Sequence, residues 1–106
     1  MSKEDISDAF QVFRNEAPHH ARAWGNMISD MSESNQLDPK TTSLVYIGIL
    51  AALGLETGMP YHVAMAKDAG ATRDEIISAI MIGLPPAGHR VTRGLKAALE
   101  SYDRST

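Results

Sequence analysis

Apolar residues recur along this chain with the spacing of helices, and nowhere with the period of two that a half-buried strand needs. Ile6, Ala9, Phe10 and Phe13 fall at i, i+3, i+4 and i+7, which predicts a first helix with one apolar stripe. Ser2 followed by Asp5 has the form of its start signal. A second helix is expected to open near Pro18, because a missing N–H costs nothing in a first turn. Ala21, Trp24, Ile28 and Met31 form its expected buried face, and the polar run SESNQ frays it. Asp38 is placed to cap a third helix, with Pro39 in the first helical position. Over residues 44–53 that helix is apolar on nearly every side. A helix apolar all round must be covered all round, and 106 residues hold too few other helices to cover it. A second subunit is therefore expected to help.

Residues 54–58 form a glycine-rich corner, after which Pro60 suits a first turn. The fourth helix is expected over about 59–69, stopping at Gly70. His62, Met65, Ala66 and Ala69 share one of its faces, with Lys67 and Asp68 pointing outward. Thr72 and Glu75 have the spacing of a capping box, the strongest local start signal in the chain. The helix it starts should bury Ile76, Ile77, Ile80 and Met81 and break at Pro85-Pro86. A last helix carries Val91, Leu95, Ala98, Leu99 and Tyr102 on one face, with Arg90, Arg93 and Lys96 around it. The expectation is one all-α domain of about six helices, with no repeat and no linker.

Composition narrows the chemistry. With 43% hydrophobic and 22% charged residues the chain has enough apolar surface to fold. A net charge of −3 with ten scattered basic residues argues against nucleic acid or an anionic membrane as partner. The start, MSKEDISD, carries acids and no apolar core, so neither a secretory nor an organellar signal is expected there, and the apolar run at 44–55 is too short to span a bilayer. A cytoplasmic location is expected. The chain has no cysteine, which excludes disulfides, thiolate metal sites and thiol nucleophiles.

His62 is the leading candidate for chemistry. It lies in the first turn of its helix, where free N–H groups and the dipole disfavour a positive imidazole. A neutral imidazole there can exchange a proton with a substrate oxygen near neutral pH. The competing reading is a core His bonded to a backbone carbonyl or to Tyr46. Glu56, six residues earlier, can orient the imidazole across the corner or stand as a solvated loop acid. His89, Arg90 and Arg93 offer an anion anchor or a solvated basic face. Tyr46 and Tyr61 complete the candidate pocket wall. His19 and His20 are adjacent and diverge by about 100° on a helix, so no metal site is expected. No glycine-rich phosphate loop is present, the methionines suit core gap-filling, and no cofactor is expected.

The segment LDPKTTSLVYIGILAALGLETGMPYH, residues 37–62, resembles the carboxymuconolactone decarboxylase-like (alkylhydroperoxidase D-like) family. The similarity continues through H-V-x-x-A-x-x-A-G-A-T-x-x-E-I from His62 and the Ala87-Gly88-His89 turn, over about residues 10–100. The resemblance implies an all-α fold assembled as a homo-oligomer, a trimer or hexamer. Redox members carry Cys-x-x-Cys just before this His and a Glu near the start of the apolar helix. Here Leu55 and Gly58 hold the Cys positions and Ser43 the Glu position, so His62 alone remains of that set. Thiol peroxidase activity is not expected, because peroxide has no thiolate to meet. The decarboxylase branch works without the Cys pair. It implies acid/base chemistry at His62 on a small organic acid or lactone, with His89 and Arg90 near the carboxylate. The alternative is a non-catalytic oligomeric scaffold or small-ligand binder.

Overall fold

The computed structural model describes residues 6–105. Its helices are α1 (Asp8–Glu16), α2 (Pro18–Ser34), α3 (Pro39–Leu53), α4 (Met59–Asp68), α5 (Arg73–Met81), the single turn α6 (Leu84–Ala87) and α7 (Val91–Arg104). No strand occurs among the described residues, so the all-α expectation holds.

The start signals are local and work as the spacing predicts. The Asp38 carboxylate accepts the Thr41 amide at 2.7 Å, with Pro39 in the first turn of α3. Thr72 and Glu75 exchange both bonds of the capping box at 3.1 and 2.9 Å. The Glu75 carboxylate serves twice, since it also receives the Lys40 ammonium at 2.9 Å and so ties the start of α3 to α5. Helix α1 begins differently: Ser7 is its cap and accepts from the Phe10 amide. The Ser2–Asp5 signal lies outside the described residues.

The core is built by α3, α4, α5 and α7. Ile47, Met59, Val63, Ile76, Ile80 and Val91 are its largest fully enclosed side chains. Each contributes about 1.5–3 kcal/mol by leaving water. Two glycines set the helix spacing. A Cβ on Gly94 of α7 would stand 2.7 Å from the Cβ of Ala51 on α3, and one on Gly48 would meet the Ala79 carbonyl oxygen at 2.9 Å. Close backbone approach at both crossings leaves no room for a side chain. The far end of α7 is fastened by polar groups. Lys67 donates to the Tyr102 and Ser105 carbonyls at 2.9 and 2.7 Å, and Arg73 clasps Asp103 with two bonds.

Three expectations are corrected. Lys67 does not point outward; its ammonium lies 4.4 Å from the Tyr102 ring and caps the last carbonyls of α7, where a cation suits the helix dipole. Helix α5 stops at Met81, before the Pro pair, because Pro85 and Pro86 fit the opening turn of α6. The stripe of α2 is not buried: Trp24, Ile28 and Met31 are 41%, 39% and 62% exposed. Helices α1 and α2 pack mainly on each other, with Phe10 edge-on to Trp24 at 5.3 Å, and neither contains a buried residue. As the sequence leads one to expect, this chain alone does not cover α3 all round. Ile47, Leu50 and Ala51 face the core, while Val45, Ile49 and Leu53 stand about half exposed.

Candidate functional site

Helix α3 ends at Gly54, whose φ of 73° closes the helix in the left-handed region that glycine tolerates. A single 3-10 turn, Glu56–Gly58, then carries the chain into α4 with Pro60 in its first turn. Gly58 permits this tight corner, since a Cβ there would press on Leu50 at 3.2 Å. The corner places His62 opposite Tyr46 of α3. Their rings stack with centroids 3.9 Å apart and planes 18° from parallel. Tyr61 meets the same imidazole edge-on at 5.2 Å.

Burial against these rings pushes the His62 pKa down from its ordinary 6.5, because a charged imidazole loses hydration there. The ring is therefore neutral at neutral pH. Among the described residues neither of its nitrogens has a hydrogen-bond partner, and no enclosed side-chain nitrogen lacks one. Both nitrogens thus retain access to solvent or ligand. This differs from a core His tied to a backbone carbonyl.

The other candidates are placed less tightly. Glu56 forms its ion pair with Arg93 of α7 at 3.1 Å, so its carboxylate holds the corner to α7 and makes no hydrogen bond to His62. Arg93 carried the signal for this in its charge, but the partner lies 37 positions away in sequence and only the fold brings them together. Arg90 directs its guanidinium at Gly54, 3.5 Å from where a Cβ would stand, beside the negative end of α3. His89 is exposed, and its carbonyl accepts the Thr92 hydroxyl at 2.8 Å. Tyr46, Tyr61 and His62 are thus brought into contact, Glu56 and Arg90 lie beside the corner without a bond to the imidazole, and His89 makes no hydrogen bond to it. Leu55, at the position of the first absent Cys, is 50% exposed.

Among the described residues no group of three carboxylate or His side chains could hold a metal ion. No helix among them is long and apolar enough to cross a membrane.

A feature not anticipated from sequence lies along the same helices. An open groove of about 520 Å³ is lined by Ser32, Asn35 and Leu37 at the end of α2, by Pro39, Thr42 and Ser43 of α3, and by Met65, Asp68 and Ala69 at α4. The start of α3 meets the end of α4 here, and Tyr46 meets His62 further on, so the two helices run antiparallel.

Against known proteins, a profile of the carboxymuconolactone decarboxylase family matches residues 18–100. The chain belongs to this family. No curated protein and no solved structure matches it. The carboxymuconolactone decarboxylase match covers α2 through most of α7 and includes the corner, the Tyr46–His62 stack and the groove. Its beginning at Pro18 leaves α1 outside.

Proposed function

We propose that this carboxymuconolactone decarboxylase family member is a cytoplasmic, oligomeric lyase without thiol peroxidase activity. In this reading His62 performs acid/base chemistry on a small organic acid or lactone, as in decarboxylation or isomerisation. The observation that carries it is the imidazole: neutral through burial, held flat by Tyr46, with both nitrogens open. Loss of CO2 from a lactone acid leaves a dienolate that must take up a proton. An imidazole of lowered pKa is a ready donor once protonated and regains its proton from solvent. Arg90 supplies the positive charge that draws a carboxylate to the corner, with His89 next to it in the chain, and Tyr61 forms the pocket wall.

The second reading is a non-catalytic scaffold or small-ligand binder. It is favoured by the pairing of Glu56 with Arg93, which leaves His62 without an orienting carboxylate. The two part on one experiment: incubation of wild type and His62→Gln with a carboxylated unsaturated lactone, followed by both CO2 release and isomerisation of the lactone. Acid/base catalysis by His62 predicts a rate loss of about 100-fold or more in the variant. Equal rates, or neither CO2 release nor isomerisation above background from wild type, favour the binder.

A further inference from the structure

The groove between the end of α2, the start of α3 and the end of α4 holds a polar group that the fold leaves unused. Ser43 is 7% exposed, yet its hydroxyl has no hydrogen-bond partner among the described residues. No enclosed side-chain oxygen there lacks a partner, so this hydroxyl keeps an opening, and the cavity Ser43 lines is the groove. Elsewhere on the same helix ends the polar groups satisfy each other: Asn35 donates to the Thr42 hydroxyl at 2.8 Å and accepts the Leu37 amide at 3.0 Å. The walls are apolar, from Leu37, Pro39, Met65 and Ala69. At the rim stands Asp68, exposed and without an ion-pair partner among the described residues.

We infer that this groove binds the uncharged, largely apolar part of a small molecule, with a carbonyl or hydroxyl of that molecule hydrogen-bonded to Ser43. A charged group deep in the groove would lose its hydration with no counter-charge to replace it. A carboxylate at the mouth would face Asp68. The volume lies within the range of small-molecule sites. Direction follows from the antiparallel pair: Met65 is one turn from His62 on α4, and Ser43 is one turn from Tyr46 on α3. The groove therefore lies one turn from the Tyr46–His62 stack along the α3–α4 pair. Resting on the acid/base reading for its reactive end, the ligand has its acidic group at the His62 corner, its apolar body against Leu37, Pro39, Met65 and Ala69, and its uncharged carbonyl or hydroxyl at Ser43.

The test is amide NMR titration with 1-hexanol and with hexanoate as probes. Hexanol should perturb the amides around Ser43, Met65 and Ala69, and hexanoate should bind there more weakly. Ser43→Ala should weaken hexanol by roughly three- to ten-fold, the loss of one neutral hydrogen bond. Ala69→Phe, which fills the groove from its wall, should abolish the perturbation with the helical circular dichroism unchanged. Asp68→Asn should narrow the gap between hexanoate and hexanol. His62→Gln should leave hexanol binding as it was. Perturbations scattered over the surface, or groove perturbations that survive Ala69→Phe, overturn the inference. Hexanol seated in the groove of a protein that neither decarboxylates nor isomerises the lactone sinks the acid/base reading and leaves the groove standing. CO2 release with no hexanol response at the groove does the reverse.

Discussion

Helices α1 and α2 differ from α3, α5 and α7 in what their apolar stripes touch. Ile76 and Ile80 of α5 are fully enclosed, whereas Trp24, Met27, Ile28 and Met31 of α2 are all between 39% and 62% exposed. Both stripes have helical spacing, and spacing alone does not distinguish them. The difference lies in the partners. The core helices meet at Gly48 and Gly94 with backbone almost touching side chain, so their neighbours are close enough to exclude water. The α1–α2 pair has mainly itself to lean on. An apolar stripe states what a helix would bury, and burial still requires something to arrive.

The largest effect should come from a side chain forced into the closest crossing. Gly94→Val places carbon atoms where Ala51 already stands, and overpacking of this kind costs about 3 kcal/mol or more, read by urea denaturation. Wild-type stability in that variant would break the picture of a tightly crossed core.

The next test compares the two stripes directly. Ile80→Ala should cost about 2–5 kcal/mol, the cost of a core cavity. Met31→Ala, at 62% exposure, should cost less than about 0.5 kcal/mol in dilute protein. Equal costs would mean that α2 is covered after all.

Self-association sharpens the same comparison, because α3 combines both kinds of face. Its inner face is core, while Val45, Ile49 and Leu53 form an open stripe beside Tyr46. Proposed as an oligomer interface, that stripe predicts more than one copy per particle by light scattering. Ile49→Lys should shift the protein toward monomer and change the denaturation midpoint of the isolated chain little. A monomeric wild type would remove the second subunit from the account of α3.

The smallest effect is electrostatic. The folded-state pKa of His62 lies below its ordinary 6.5, so the unfolded chain binds the proton more readily between the two values. Its contribution to stability is full above about 6.5 and declines as pH falls toward the folded-state value. Thermal unfolding should show a slightly lower midpoint at pH of about 5.5 than at about 7.5, and His62→Gln should flatten that slope. An unchanged slope in the variant would show that the imidazole is no more buried when folded than when unfolded.

Much of the fold is legible in the sequence. Asp38 with Pro39, Gly54, and the Thr72–Glu75 box act within four residues of themselves, so their geometry is written in local order. The place of His62 after the corner was legible for the same reason. Its surroundings were less so. Glu56 stands near His62 in sequence, yet Arg93 claims its carboxylate across the fold. Lys67 has the position of an outward residue on its own helix, but the end of α7 arrives over it with two carbonyls to satisfy.

By itself, then, the sequence determined most of the helices, the caps of α3 and α5, the family and the absence of thiols, because each depends on residue identity or on neighbours within a turn or two. Tertiary structure decided which apolar stripes are enclosed, which ion pairs form, that the nitrogens of His62 stay open beside Tyr46, and that Ser43 faces a groove. These depend on segments far apart in the chain meeting at distances of a few ångströms, and hydrophobic periodicity carries no information about which face will meet which.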